Sequence, residues 1–480
     1  MLKQLLKRKN ISQIMLEADD EHHGLKRVLG PLNLVSLGIG AIIGAGIFVL
    51  TGQAAAQYAG PGISLSFVLS GFGCVLAGLC YAEMASMIPV AGSAYTYSYA
   101  TLGQLIAWII GWDLILEYLF ASSTVAVGWS GYIVSFLKDF GYIVPDIISK
   151  APLSYDTHTG WAFTGAVINL PAIIVVLIAT TLLAIGIWES AAVNSLIVIL
   201  KLTVLLLFIG VGFFYVNREN WDPFIPPNEG MFGHFGWSGV LRGAGVIFFA
   251  YIGFDAVSTA AQETRNPQRN VPIGILVSLL ISTVLYIVVS LVLTGVVDYH
   301  QLKVPDPIAV AVDAMGEKLF WFRPLIKIGA IAGLTSVILV LLLGQTRVFY
   351  SMARDKMLPD RFSKINRRFR TPVFTTVVTG IAASFFAGLL PIGILGELVS
   401  IGTLLAFLIV CAGVLALRYT DPGLPRPFRA PFSPYVPILG AVVSFIQMAA
   451  LPLDTWLRLL IWMVIGFFIY FLYSRKRALS

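Results

Sequence analysis

The chain has 480 residues, of which 58% are hydrophobic and only 12% charged, and its mean hydropathy is +0.85. Because an ordinary soluble domain carries roughly a quarter charged residues, this composition excludes that class and predicts an all-α polytopic membrane protein. The net charge of +7 does not indicate nucleic-acid binding, since the basic residues flank apolar segments instead of forming one stripe.

Twelve apolar runs are long enough, at about 20 residues, to cross the hydrocarbon core of a bilayer. They predict membrane spans near residues 31–56, 62–88, 97–127, 167–187, 190–216, 238–263, 271–297, 324–350, 372–390, 393–417, 434–451 and 456–474. Residues 1–30 then form an N-terminal tail, 31–417 a ten-helix core, 418–433 a loop, 434–474 two further helices and 475–480 the C-terminus. Residues 306–318 predict a short helix outside the bilayer.

The distribution of Lys and Arg predicts the direction of these spans. An even number of spans places both termini on one side, and the segments on that side hold most of the basic residues. Because basic residues favour the cytoplasmic face, we expect a multi-pass protein of the cell membrane with both termini in the cytoplasm. The first residues lack the apolar core and cleavage site of a signal peptide, so the first span is expected to be retained.

Glycine-rich sequences interrupt the first and the sixth span. Residues 38–48 read GIGAIIGAGIF, and GAG at 243–245 is followed by FAYIGFD at 249–255. Unpaired backbone groups are costly at membrane depth, and two interrupted helices five spans apart indicate the midplane binding site of a secondary transporter. The alternative is that the glycines only allow close helix packing. If spans 1–5 and 6–10 are repeats, their odd length inverts the second copy and brings the breaks together.

The interrupted segments offer main-chain groups to a ligand. Unwinding between residues 42 and 47 leaves amides at the start of the next half-helix, and a helix N-terminus favours an anion such as a carboxylate. Carbonyl groups freed at the two breaks suit an ammonium group. The residues expected to contact the ligand are Ile42, Ile43, Gly44, Ala45, Gly46, Phe249, Ala250 and Ile252. A site with both kinds of group and no formal charge predicts a zwitterion, an α-amino acid.

One basic residue lies deep within a span. Lys201 is in the middle of VNSLIVILKLTVLLLF, with no acidic residue within one helical turn. Because hydrocarbon disfavours the charged form, this lysine is expected to hold and release a proton. Its ammonium group could also bridge carbonyls of the first and eighth spans. The alternative is that the side chain snorkels to an interface.

Acidic residues lie in the third span and beside the second break. Asp113 and Glu117 are four residues apart and share one helix face. Glu117 is a candidate proton site, a contact for a cationic side chain or a structural hydrogen-bond acceptor. Asp255 directly follows the break, where it either fixes the unwound backbone or couples protonation to its shape. Lys201, Glu117 and Asp255 are the residues predicted to take part in proton coupling.

Four segments are similar to those of a known group of transporters. They are GIGAIIGAGIFVLTG (38–52), CYAEMASMIPVAGSAYTYSY (80–99), GWDLILEY (111–118) and FFAYIGFDAVSTAAQETRNPQRNVPIGI (248–275). On these segments the chain resembles the amino acid–polyamine–organocation superfamily, and within it bacterial members of the cationic amino acid transporter family. The resemblance implies twelve spans, an inverted five-plus-five repeat with discontinuous helices 1 and 6, two C-terminal helices, and alternating access around a central amino acid.

The resemblance also implies roles for individual residues. The amides of Ala45 and Gly46, together with Gly44, are expected to contact the substrate carboxylate. The carbonyl groups of Ile42, Phe249, Ala250 and Ile252 are expected to contact the ammonium group. Lys201 is expected to stand where a sodium-coupled relative holds its ion, which favours the proton as coupling ion and requires no cofactor or metal.

These features together predict a permease that carries L-amino acids by proton symport. Its expected partners are the small-molecule substrate and the lipid bilayer; whether it has an accessory subunit stays open. An obligatory amino acid exchanger is the alternative within transport, and a transporter-like nutrient sensor is the alternative from another class. An enzyme is not favoured, since no HExxH, GxSxG or Walker loop is present. Small neutral and cationic substrates both remain open.

Overall fold

The computed structural model describes residues 8–9, 29–88, 93–156, 160–186, 191–259, 264–369 and 371–477. The molecule is mostly helical, because an apolar run in a membrane must satisfy its backbone polar groups within its own helix. The α-helices of the first half are α1 (Pro31–Ile42), α2 (Thr51–Ala54), α3 (Ile63–Met87), α4 (Ser93–Thr101), α5 (Gln104–Asp139), α6 (Asp146–Ser149), α7 (Leu170–Ile185), α8 (Ala191–Gly212) and α9 (Gly236–Val246).

The second half continues the helical pattern. Its α-helices are α10 (Phe254–Thr259), α11 (Pro267–Val296), α12 (Pro307–Ala314), α13 (Phe322–Arg354), α14 (Val373–Leu389), α15 (Ile392–Thr420), α16 (Tyr435–Ala449), α17 (Leu453–Ile469) and α18 (Arg475–Arg477). Wider π-helical turns cover Gly46–Leu50, Ala55–Ala59 and Tyr470–Ser474. Short 3-10 helices cover Gly60–Gly62, Phe213–Tyr215, Arg218–Trp221, Ile247–Tyr251, Tyr299–Leu302, Glu317–Leu319 and Asp360–Ser363.

The described helices lie where the apolar runs predict them. Seven helical stretches are long and apolar enough to cross a membrane, and three shorter apolar helices accompany them. The sixth predicted span is divided into α9, a 3-10 helix and α10, and its predicted end at 260–263 lies outside the described residues. The third predicted span, 97–127, needs a correction. Gly103, with φ of +96°, separates α4 from α5, because that left-handed conformation ends a helix.

A small β-hairpin lies in the long connection after α5. Strands β1 (Leu153–Asp156) and β2 (Gly160–Phe163) pair antiparallel, with Leu153 opposite Phe163. The short helix predicted within residues 306–318 corresponds to α12.

The packing of the long helices places the two interrupted segments in the interior. Helix α11 packs along α3 and α1, and α5 packs along α13 and α15. Helix α8 contacts both α1 and α13, which brings Lys201 to the end of α1. The π-helical turn Gly46–Leu50 contacts the 3-10 helix Ile247–Tyr251 directly. The candidate site therefore lies between α1 and α9–α10, surrounded by α8, α11, α13 and α15.

Candidate functional site

The first span is interrupted where the glycine-rich motif predicts. Helix α1 ends at Ile42, and Ile43 has ψ of 99°, outside the helical range. Helical geometry resumes with the π-helical turn that begins at Gly46. In the described part of the chain, the main-chain amides of Gly44, Ala45 and Gly46 have no hydrogen-bond acceptor. They are the donors that a helix N-terminus presents to an anion.

Side chains from other helices hold the carbonyl end of α1. The Lys201 ammonium group donates to the carbonyl oxygens of Gly40, at 2.7 Å, and Ile43, at 3.0 Å. The Tyr286 hydroxyl on α11 donates to the carbonyl of Ile42 at 2.7 Å. These bonds satisfy carbonyls that the ended helix leaves without an amide donor. A cation at this position also interacts favourably with the negative end of the helix dipole.

The sixth span is interrupted in two steps. Helix α9 ends at Val246 and passes into the 3-10 helix Ile247–Tyr251. Ile252 is extended, with ψ of 139°, and Gly253 has φ of +112°, a conformation that favours glycine. Helix α10 then begins at Phe254. The break predicted at 249–255 is therefore present, whereas the GAG sequence at 243–245, which was predicted to be part of it, is helical within α9.

The two breaks touch each other at glycines. A Cβ atom on Gly46 would lie 2.2 Å from the Cα atom of Ala250, and one on Gly253 would lie 2.7 Å from the carbonyl carbon of Ala41. The Tyr286 hydroxyl, which already contacts the first segment, also lies 2.8 Å from the carbonyl oxygen of Ala250. Only glycine permits this approach at both positions. The glycines therefore allow close packing of the two segments at the same place where the helices are interrupted.

The carbonyl groups predicted to bind an ammonium group differ in their surroundings. Those of Ile42 and Ala250 both face the hydroxyl of Tyr286. That of Phe249 accepts the amide of Ile252 at 3.0 Å. Because a carbonyl oxygen has two lone pairs, each of these can accept a further donor. A hydroxyl has one proton, so it cannot donate to both carbonyls at once.

Lys201 lies fully inside the protein, so the snorkelling alternative is wrong for this structure. Its ammonium group contacts two carbonyls of the first span, whereas the predicted bridge to carbonyls of the eighth span is not among the hydrogen bonds of the described residues. The eighth predicted span, α13, contributes Gly333, where a Cβ atom would lie 3.1 Å from the lysine Cγ atom. The glycine therefore makes room for the lysine stem.

Glu117 and Asp255 form part of a buried polar group next to the second break. The Tyr118 hydroxyl donates to Asp255 at 2.9 Å, and Glu117 has a hydrogen bond to Thr403 on α15. Glu117 and Asp255 also interact electrostatically with each other. The structure brings these two predicted acids together, whereas Lys201 lies at the other break.

Two hydroxyl groups at the site were not found from the sequence. Tyr286 contacts both breaks, and Ser400 on α15 accepts the amide of Phe249 at 3.2 Å and donates to the carbonyl of Val246 at 2.6 Å. Both are single polar residues in apolar runs, without a motif. Their only sequence signal is a hydroxyl within a predicted span, which is too common to single out a site.

A second polar cluster lies at the opposite end of α15 from its C-terminal Arg418. The buried carboxylate of Glu397 accepts hydrogen bonds from Tyr58 at 2.9 Å, Thr455 at 2.7 Å and Arg458 at 3.3 Å. Thr455 and Arg458 belong to α17, outside the predicted ten-helix core. The cluster thus connects the end of the first interrupted span to the last long helix.

Comparison with known proteins gives consistent matches over nearly the full chain. The sequence model of the amino acid permease family matches residues 29–474. A methylthioribose transporter of Bacillus subtilis is 46% identical over 464 residues, covering 97% of each chain. The branched-chain amino acid permease BcaP of the same organism is 45% identical over 472 residues, covering 98% of each chain. The vacuolar cationic amino acid transporter 4 of Arabidopsis thaliana is 38% identical, covering 88% of this chain and 68% of its own length.

Proposed function

Since the chain belongs to the amino acid permease family and is an amino acid transporter, not an enzyme, we propose that it works as a proton symporter. The observation that carries this proposal is the position of Lys201. Its ammonium group, fully buried, donates to the carbonyls of Gly40 and Ile43 at the end of α1. In this proposal the Lys201 ammonium group takes the role that a bound metal ion would have in a sodium-coupled relative.

The coupling follows from what a proton does to this contact. Protonated Lys201 has three N–H donors and a positive charge facing the negative end of the α1 dipole. When the lysine loses its proton, it loses the charge and one donor, and its hold on α1 weakens. Protonation thus favours the arrangement in which α1 is held against α8. A proton can shift the transport cycle only through such a difference between states.

We place the substrate at the two breaks. The amides of Gly44, Ala45 and Gly46 suit the carboxylate of an amino acid. The ammonium group would lie at the carbonyls of Ile42 and Ala250, with those of Phe249 and Ile252 adjacent. The Tyr286 hydroxyl lies within hydrogen-bond distance of both carbonyl oxygens but has only one proton to donate. One of the two contacts therefore lacks a donor, which supports this placement. An ammonium group would supply the missing proton.

We propose neutral aliphatic amino acids as the substrate class. Two relatives, of Bacillus subtilis and Lactococcus lactis, are named branched-chain amino acid permeases. The described acids nearest the second break, Glu117 and Asp255, face each other, Thr403 and Tyr118. These two carboxyl groups therefore already have partners within the protein, which favours a substrate without a cationic side chain. The relative named a methylthioribose transporter is named for a sugar without ammonium or carboxylate, so a ribose thioether belongs in any substrate panel.

We further propose the topology that the sequence predicts. Twelve spans would place both termini in the cytoplasm, and spans 1–5 and 6–10 would form an inverted repeat in the cell membrane. The position of the breaks in spans one and six, and their direct contact, support this arrangement.

Uptake into liposomes tests the proposal. The purified protein is reconstituted, and uptake of labelled valine, alanine, arginine and methylthioribose is measured with and without an inward proton gradient. Symport predicts accumulation of a neutral amino acid above the external concentration only with the gradient. Uptake that is independent of the proton gradient but requires amino acid inside the liposomes would establish an exchanger instead. Binding without flux would favour a sensor.

A further inference from the structure

Asp113 differs from the other buried acids of this protein. It lies in α5 with no exposed surface, and neither carboxylate oxygen has a hydrogen-bond partner among the described residues. Glu83, in contrast, contacts Arg418 and accepts the amide of Ala430 at 2.8 Å. Glu397 has three donors, and Asp255 accepts from a tyrosine. Asp113 is thus a buried carboxyl group without the donors that its counterparts have.

The packing around Asp113 leaves it space on one side. A Cβ atom on Gly402 of α15 would lie 3.0 Å from its Oδ1 atom, so the glycine provides room for the carboxyl group. The next residue of α15, Thr403, bonds Glu117. Since residues four apart on a helix share a face, Asp113 and Glu117 present adjacent carboxyl groups to α15.

The charged surroundings of the pair are acidic. Glu117 is the titratable group on α5 that interacts with Asp113, and beyond it lie Asp255, Tyr118 and Tyr81, which surround Glu117. The other helices packed against α5 bring no described basic side chain to Asp113. An ionised carboxylate without a partner is strongly disfavoured in such surroundings. The neutral acid, which carries a proton, is the form that this environment favours.

We propose that Asp113 is the group that releases the transported proton to the cytoplasm, an inference that rests on the proposed symport. In the proposed orientation α5 begins at the cytoplasmic face, and Asp113 lies one turn nearer that end than Glu117. When the inward-facing state admits water, the O–H bond of Asp113 breaks, the proton leaves to that water and the carboxylate becomes hydrated. Before the next inward transition Asp113 takes a proton from Glu117, and Glu117 is protonated in turn by water that enters in the outward-facing state.

The test separates coupling from translocation. Asp113→Asn keeps the size of the side chain but cannot release a proton. In liposomes we expect gradient-driven accumulation of the neutral substrate identified for the wild type to fall to the level without a gradient. Counterflow exchange, which needs translocation but no net proton movement, should be retained. Asp113→Glu, which restores a carboxyl group, should regain accumulation. Ser122→Ala is the matched control, because Ser122 is buried in the same helix and donates only to the carbonyl of Leu119.

Each other outcome would overturn the inference. If a folded Asp113→Asn protein accumulates substrate to the wild-type level, the proton does not pass through this residue. Loss of both accumulation and counterflow shows a role in translocation itself. Because Asp113 has no hydrogen-bond partner among the described residues, Asn and Ala should both be tolerated, and failure of both variants to fold would show a structural role. If wild-type uptake itself ignores the gradient, the symport proposal fails first, which distinguishes the two failures.

Discussion

Replacing Gly46 with alanine tests whether the two interrupted segments must touch for substrate to bind. A Cβ atom at this position would lie 2.2 Å from the Cα atom and 2.3 Å from the Cβ atom of Ala250. Carbon atoms in contact are about 3.5–4.0 Å apart, so the segments must separate by roughly 1.3 Å. That shift would lengthen the contacts of Tyr286 with both breaks. Overpacking of this kind costs about 1–3 kcal/mol.

If this free energy is lost from the substrate-bound form, the affinity should fall about 5- to 150-fold. Equilibrium binding to purified protein measures it, with the amino acid that competes best in the uptake panel. Gly210→Ala is the control, because it makes the same change in α8, where no atom lies within 4 Å of the new Cβ. Unchanged affinity in a folded Gly46→Ala protein would refute the contact between breaks as a requirement for binding.

Three further changes probe Lys201, Tyr286 and Asp306. Lys201→Met should abolish gradient-driven accumulation, since it removes both the proton and the hold on α1; accumulation at the wild-type level would contradict the coupling role. Tyr286→Phe should raise KM about tenfold, because it removes one hydrogen bond that holds the carbonyls of Ile42 and Ala250 at the site; an unchanged KM would show that this hydroxyl does not contribute to binding. Burial raises the pKa of Asp306, in the connection before α12, to about 6, and Ser135 and Lys327 offset only part of this. Because the unfolded side chain titrates near 4, the native state binds more protons between about pH 4 and 6, so stability should fall as pH rises through that window. Asp306→Asn should flatten this slope in thermal unfolding, and an unaltered slope would assign it to another group.

The breaks could be predicted because their signal is local. Glycines within an apolar run mark positions where hydrocarbon would otherwise require a continuous helix, and both breaks are found there. Lys201 could be found for the same reason, since a charge in a span is rare. Its hydrogen bonds to Gly40 and Ile43 show that the buried ammonium group contacts the first span.

The remaining contacts depend on how helices turn and cross, which a single sequence does not encode locally. Tyr286 contacts both breaks only because α11 crosses α1 with one particular face toward it. Ser400 is a serine among many in the spans. The boundary at Gly103 was missed because the apolar composition continues through it, although a positive φ divides the helix. Roles for the site residues in binding and coupling remain predictions.

The Glu397 cluster has a consequence for biosynthesis. Two of the three donors to this carboxylate, Thr455 and Arg458, follow the predicted ten-helix core along the chain, so they are synthesised after it. Before α17 enters the bilayer, the Glu397 carboxylate on α15 lacks two of its three donors. Because a carboxylate without partners is costly at membrane depth, water must hydrate it until then. The Glu397 cluster is therefore complete only when α17 has been inserted. A chain cut before α17 leaves Glu397 with only Tyr58 of these three donors, even though the predicted ten-helix core is fully synthesised.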